Sequence, residues 1–166
     1  GFRDKGLTFF KMGQPEKAIP LFDQALAHSS AIGNRINAAK AHLGKADALF
    51  ETSAFAAAEA DYDQALALSE GMRIKETHWR AHYGLGRVRM TENDRLTAEK
   101  HFRKAIDIIE SMRAAIKIKE LKDNFLFNRL DVYSDLVKLL ADMGRPAEAF
   151  SIAERSRSRN FIDLLG

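Results

Sequence analysis

The chain lacks cysteine, has only three prolines and contains no long apolar run. Without cysteine, disulfides, thiolate metal sites and a cysteine nucleophile are excluded, and a reducing, cytoplasmic location is favoured. No apolar stretch approaches the roughly 20 residues that span a bilayer, and the start Gly1-Phe2-Arg3-Asp4 is not a signal sequence. We therefore expect a soluble protein without membrane attachment.

Neither sign of charge dominates the composition. In 166 residues, 26 Lys and Arg stand against 23 Asp and Glu, and 46% of the residues are hydrophobic. This balance argues against disorder, and the length allows a sizeable core. The excess of basic residues lies entirely after residue 83. Because the chain has no initiator Met and ends without a tail, we expect it to be a piece of a longer protein.

A repeat of 40 residues organises the chain. The segment Phe22–Ser29 recurs as Tyr62–Ser69, and the same shift carries Ala41–Gly44 to Ala81–Gly84. Each unit has a small residue, an aromatic four positions later and a small residue three positions further. This spacing places all three on one stripe of a helix. The triplets are Ala18, Phe22 and Ala25; Ala58, Tyr62 and Ala65; and Ala98, Phe102 and Ala105.

The breaks between these stripes predict helical hairpins. Gly13 with Pro15, and Gly144 with Pro146, place a glycine after one helix and a proline at the start of the next. Thr52-Ser53 and Asn93-Asp94 offer side-chain oxygens that could cap the following helices. No segment alternates with the period of a strand. We predict an all-α, right-handed solenoid of about four antiparallel helix pairs with a C-terminal exit helix.

The small–aromatic–small pattern after a Gly-x-Pro turn resembles the tetratricopeptide repeat. The resemblance implies a single repeat domain over residues 1–166, with units at 1–33, 34–72, 73–122 and 123–159 and an exit helix at 160–166. A 40-residue unit exceeds the usual ~34 residues, so we expect longer helices and loops such as residues 29–34. The step from Ala98 to Ala149 is longer still, at 51 residues. His42 and His82 occupy positions where the family usually has an aromatic, and Leu49 and Arg89 depart from the pattern as well.

The last forty residues resemble a narrower group. A Val-Tyr…Leu-Leu helix, then Glu154-Arg155-x-Arg157-x-Arg159 and a closing Leu164-Leu165, is similar to bacterial proteins whose repeats precede a CHAT domain, a caspase-like protease domain. This resemblance implies that the catalytic His and Cys lie beyond Gly166. It implies no catalytic residue, cofactor or metal within this chain, so we expect a non-enzymatic scaffold that binds a protein or peptide and positions or regulates the following protease domain. The alternative is a stand-alone adaptor or signalling-peptide regulator.

The concave groove of such a solenoid, lined by the first helix of each unit, is the predicted binding site. Basic groups interleaved with aromatics there would suit an extended acidic and apolar peptide. Binding of a C-terminal carboxylate by paired Asn and Lys is not expected, because Gly44 and Gly84 stand where Asn would be needed. The candidate groove residues are Arg3, Leu7, Phe10, Lys40, Leu43, Asp47, Phe50, Arg80, Tyr83, Arg87, Met90, Ser134 and Lys138.

The exit helix is predicted to dock on a following domain of the same chain. Its candidate docking residues are Arg155, Arg157, Arg159, Phe161, Leu164 and Leu165. Nucleic-acid binding is the less favoured interpretation of these arginines, because a spacing of two spreads them around a helix and acidic residues lie beside them.

The histidines allow two interpretations. His42 and His82 are equivalent residues of successive first helices and could share a metal with Asp47 or Glu76, but an imidazole hydrogen-bonded to a neighbour is favoured. His28 and His101 are expected on the surface of second helices.

Overall fold

The computed structural model describes residues 1–118, 125 and 129–165, with side chains described as far as residue 157. These residues form eight α-helices and no strand, which confirms the predicted all-α solenoid fold. The helices are α1 (Phe2–Lys11), α2 (Pro15–Ala31), α3 (Arg35–Glu51), α4 (Phe55–Met72), α5 (Lys75–Thr91), α6 (Arg95–Ala114), α7 (Leu130–Asp142) and α8 (Pro146–Leu165).

The turns between these helices share one backbone conformation. A residue with positive φ follows each of the first five helices, at positions 13, 33, 53, 73 and 93, and another follows α7 at Gly144. Ser53 therefore does not cap α4, and the Thr52 hydroxyl donates back to the carbonyl of Leu49. The predicted Asp94 cap is confirmed, since its side chain accepts a hydrogen bond from the amide of Thr97. Helix α2 continues through Ala31, so the first half of the expected loop over residues 29–34 is helix.

The core is built from the aromatic of each second helix. Phe22 is fully buried, and positions for a Cβ on Gly6 and Gly44 lie 3.0 Å and 2.5 Å from its ring. Tyr62 is covered in the same way by Gly84 of the following first helix, and Phe102 by Gly86 of its own unit. Only glycine allows these helices to approach so closely, so the repeated aromatic and glycine positions set the helix spacing.

The fourth unit is attached to the third largely through α6. Glu99 of α6 is 8% exposed and accepts two hydrogen bonds from Arg145, at 2.6 Å and 3.0 Å, and one from Arg103 at 2.8 Å. Arg145 and Arg103 also pair with Glu148 of α8. This network joins α6 to the turn between α7 and α8.

Helix α8 is continuous from Pro146 to Leu165. The predicted boundary at 159/160 therefore has no helix break, and the exit segment is the last part of α8 instead of a separate helix. The predicted boundaries at 33/34 and 72/73 coincide with turns, while the one at 122/123 lies outside the described residues.

None of the helices in the described part of the chain has the length and apolar character that crossing a lipid bilayer requires.

Candidate binding groove

The four first helices α1, α3, α5 and α7 form a groove with three adjoining pockets. Of the thirteen candidate groove residues, all but Ser134 line one or more of them. The N-terminal pocket, about 270 Å³, is lined by Arg3, Leu7, Lys40, Leu43, Gly44, Ile74, Glu76, Thr77 and Arg80. The central pocket, about 210 Å³, is lined by Phe10, Asp47, Glu51, Trp79, Arg80, Tyr83, Arg87, Arg129, Asp131 and Val132. The C-terminal pocket, about 430 Å³, is lined by Phe50, Arg87, Met90, Thr91, Phe102, Asp135, Lys138, Leu139 and Asp142.

The N-terminal pocket has an excess of positive charge. Arg3, Lys40 and Arg80 face a single acidic residue, Glu76. Glu76 is already engaged, because it accepts hydrogen bonds from the Trp79 indole at 3.0 Å and from Arg129 at 2.8 Å. The Nε of Arg3 is buried and has no hydrogen-bond partner within the described residues. This end of the groove therefore offers donors to an anion.

The central pocket has balanced charge. Asp47 accepts a hydrogen bond from the Tyr62 hydroxyl at 2.6 Å and lies 3.3 Å from Arg80. Burial raises the pKa of Asp47 above its ordinary value, although Arg80 and the Tyr62 hydroxyl act in the opposite direction. Arg87 lies 3.5 Å from Glu51. The cations in the middle of the groove are thus paired with its own acids.

The C-terminal pocket has an apolar floor and a mixed rim. The guanidinium of Arg87 lies 4.1 Å from the centre of the Phe50 ring, within the range of cation–π contacts. The Tyr83 hydroxyl donates to Asp135 at 2.6 Å, which links α5 to α7. Burial and this hydrogen bond raise the pKa of Tyr83.

Sequence reasoning missed the acidic residues of the groove. Glu51, Asp131, Asp135 and Asp142 line the pockets and were not among the predicted groove residues. The helical spacing contained a signal, because Glu51 lies one turn after Asp47, and Asp135 one turn after Asp131. Leu43 is 4% exposed and belongs mainly to the core. Of the fourth-unit candidates, Lys138 lines a pocket, whereas Ser134 lines none of the three.

Arg155, predicted to dock a following domain, is engaged within the chain. Its guanidinium pairs with Glu110 and lies 3.8 Å from Asp107, both on α6. Its charge therefore helps hold α8 against the third unit. Arg157 is mostly exposed and lies 3.5 Å from Glu154. The side chains of Arg159, Phe161, Leu164 and Leu165 lie outside the described residues.

His42 and His82 each form a hydrogen bond within their own unit, and not with each other. The Nδ1 of His42 lies 2.7 Å from Asp61, and that of His82 lies 3.0 Å from the Nδ1 of His101. The hypothesis of a shared metal is thereby not supported, and the described residues contain no group of three or more metal-ligating side chains. His101 is half-buried in this contact and is not the surface residue expected. His28 is exposed, as predicted.

The comparisons with known proteins agree with this fold. A family model described as a tetratricopeptide repeat matches residues 2–71. BtubC (BKLC) from P. vanneervenii has a similar structure, with a TM-score of 0.79 and 15% identity over 97% of this chain and 62% of that one. The apo form of RapI is also similar, with a TM-score of 0.75 and 15% identity over 95% of this chain and 54% of that one.

A third structure, of nearly identical repeats of a putative kinesin light chain from Podosopora anserina, aligns over 99% of this chain and 95% of that one. Its TM-score is 0.57 and its identity 14%. The chain thus spans less than two thirds of the length of the first two structures. No curated protein matches it in sequence. Residues 2–71 thus match the tetratricopeptide repeat, and the likeness to these structures shows that the described chain shares their helical-repeat fold.

Proposed function

We propose that the chain binds an extended peptide, or an extended segment of a partner protein, along the groove of its first helices. The observation that carries the proposal is the continuity of the three pockets. Arg80 lines both the N-terminal and the central pocket, and Arg87 lines both the central and the C-terminal pocket. One ligand can therefore contact all three pockets in an extended conformation.

The charge distribution favours an acidic group of the ligand at the N-terminal pocket. Lys40 has no acidic lining residue left to pair with, since Glu76 is held by Trp79 and Arg129. Arg3 lies 3.4 Å from Asp4, outside the pocket lining, through only one of its nitrogens. A carboxylate would gain charge-assisted hydrogen bonds from these cations. The middle of the groove has paired charges and supplies aromatic contact surface instead.

Peptide binding can be tested with a fluorescently labelled peptide that has an acidic pair at one end. We expect the double variant Arg3→Gln/Lys40→Gln to bind it at least tenfold more weakly, and added salt to reduce binding to the unmodified chain. The matched control is Lys5→Gln/Lys11→Gln, which removes the same charge from exposed positions that line none of the three pockets. Equal losses in both variants would mean that net charge, and not the groove, governs binding.

We further propose that α8, including its C-terminal part, docks on a following domain, of the CHAT type that the sequence resembles. The proposal is supported by Phe150, which is 67% exposed. The 51-residue step aligns Phe150 with Glu99, and the 40-residue step aligns Glu99 with Glu59. Glu59 pairs with Arg89 of the next first helix, and Glu99 with Arg145. Phe150 thus occupies a position that is covered in the preceding units.

Two observations test the docking proposal. Reading the natural gene for about 200 codons past Gly166 should reveal an α/β domain with a His followed by a Cys. Removing residues 161–166 should leave the helical signal of the repeats intact but loosen that domain. A stop codon soon after Gly166 would favour the stand-alone adaptor or signalling-peptide regulator.

A cytoplasmic location is part of the same proposal. Nucleic-acid binding is not proposed, because acidic residues lie among the cations of the groove.

A further inference from the structure

The fourth unit lacks the contact by which each first helix packs on the second helix of the preceding unit. Gly44 of α3 lies over the ring of Phe22, and Gly84 of α5 lies over the ring of Tyr62. The turn residues Asn93 and Gly144, both with positive φ, are 51 residues apart. The same step takes Gly84 to Asp135 of α7. An aspartate therefore stands where the two preceding first helices have glycine.

This aspartate prevents the close approach seen in the earlier units. A Cβ at Gly84 would lie 2.3 Å from the ring of Tyr62, and one at Gly44 would lie 2.5 Å from the ring of Phe22. Asp135 has that Cβ and a carboxylate besides, so α7 cannot pack on Phe102 at the same distance. Its carboxylate instead accepts the Tyr83 hydroxyl hydrogen bond. While α3 packs on both α1 and α5, the backbones of α5 and α7 lie farther apart and their side chains bridge the space, as in the Tyr83–Asp135 hydrogen bond.

The gap that results is the C-terminal pocket. Its volume of about 430 Å³ lies in the range of ligand pockets, which hold roughly 300 to 1,000 Å³. Phe50 and Met90 supply apolar surface, and the buried Phe102 and Leu139 lie at its floor. The rim has two cations and two acids, Arg87 and Lys138 against Asp135 and Asp142. A neutral apolar group therefore fits this pocket better than a charged one.

We propose that the C-terminal pocket is the anchor site of the groove and takes a bulky, uncharged side chain of the bound peptide, such as Trp, Phe or Leu. The proposal rests on the peptide-binding function proposed above and adds a spacing to it. Thr77 lines the N-terminal pocket and Met90 the C-terminal pocket, on the same helix. At ~1.5 Å per residue the two are about 20 Å apart. An extended peptide covers that distance with about six residues.

The probes are labelled peptides in which an Asp-Asp pair is separated from a single Trp by three, six or nine Gly and Ser residues. A matched set has Ser in place of Trp. We expect the six-residue spacing to bind tightest, and its Trp form to bind at least tenfold more tightly than its Ser form. Met90→Asp should remove this difference between Trp and Ser. The control Met12→Asp, also at the C-terminal end of a first helix and also exposed, should preserve it.

The possible failures separate the two proposals. If Trp and Ser peptides bind equally while the Asp-Asp pair remains essential, the anchor is wrong and groove binding stands. If Met90→Asp keeps the preference for Trp, the pocket assignment is wrong. If no peptide binds, the proposed function and the anchor fall together. Methyl NMR of the unmodified chain provides a test without mutation, because the Trp peptide should shift the Met90 signal and leave that of Met12 unchanged.

Discussion

Replacing Gly84 by alanine is the most direct test of how the aromatic and glycine positions hold the solenoid together. The added Cβ would lie 2.3 Å from two atoms of the Tyr62 ring and 2.7 Å from a third. The ring cannot easily move, because Tyr62 is fully buried and its hydroxyl donates to Asp47 at 2.6 Å. Either α5 moves away from α4 or the hydrogen bond is strained.

The expected magnitude combines two opposing effects. Overpacking a filled core costs about 1 to 3 kcal/mol, and we take the upper end because three ring atoms are contacted. Alanine gains about 1 kcal/mol over glycine in a helix interior. The net loss in the free energy of unfolding should be about 2 kcal/mol. For a chain of this size, that lowers the melting temperature by roughly 4 to 8 °C.

The assay is thermal and urea unfolding followed by circular dichroism at 222 nm. Gly71→Ala is the control, since Gly71 lies in α4 and a Cβ there would have no atom within 4 Å. That variant should be unchanged or more stable by up to about 1 kcal/mol. In a Tyr62→Leu background the cost of Gly84→Ala should fall, because the ring is gone. A Gly84→Ala chain as stable as the unmodified one, or an equal loss in both backgrounds, would refute the reasoning.

Three further predictions concern the polar contacts. Burial, together with His101, His78 and Lys104, lowers the pKa of His82 from 6.5 to about 3. The neutral His82 imidazole therefore contributes fully to stability above pH 6.5, and this contribution is lost as the pH falls toward 3. At pH 5 the loss in the free energy of unfolding is at most about 2 kcal/mol. The urea midpoint of His82→Phe should therefore decline less between pH 6.5 and 5 than that of the unmodified chain. An equal decline in both chains would contradict this prediction. Arg145→Met leaves the nearly buried Glu99 with only Arg103 and should cost about 1 to 2 kcal/mol of stability. The loss should appear as faster amide exchange in α7 and α8. The control Arg157→Met, which removes an exposed ion pair, should change stability by less than about 0.5 kcal/mol. Tyr62→Phe leaves the Asp47 carboxylate without the Tyr62 hydroxyl and should cost about 1 to 2 kcal/mol in urea unfolding; no change would show that water replaces the hydroxyl fully.

The 40-residue repeat made the fold predictable, because it recorded both partners of the packing. Phe22, Tyr62 and Phe102 mark the second helices, and Gly44 and Gly84 recur at the same interval on the first helices. Side-chain partners were less predictable. The pairing of His82 with His101 and of Arg155 with Glu110 depends on the rotation of helices about their axes, which a spacing of several residues does not define.

The candidate groove residues line the three pockets, but the acidic part of that lining was not anticipated. The first-helix positions converge as the repeat implies, yet Asp135 and Asp142 fall after the 51-residue step, where the register is not repeated. The C-terminal pocket was unforeseen for the same reason. It depends on a glycine position being filled, and that departure is recognised only once the turn at Gly144 fixes the alignment.

The same departure changes how the fourth unit is held. Leu136 and Leu139 of α7 share a buried apolar cluster with Phe102 of α6. Asp135 keeps α7 from the closer approach that glycine gives the earlier units, and the Glu99–Arg145 and Arg155–Glu110 pairs add to the attachment. Such charged contacts contribute less than buried apolar surface and weaken with salt when they are partly exposed. The interface between the third and fourth units should therefore open before the others as salt and denaturant rise. Because the proposed anchor pocket lies at that interface, its affinity for a Trp peptide should fall before the first two units lose helical signal.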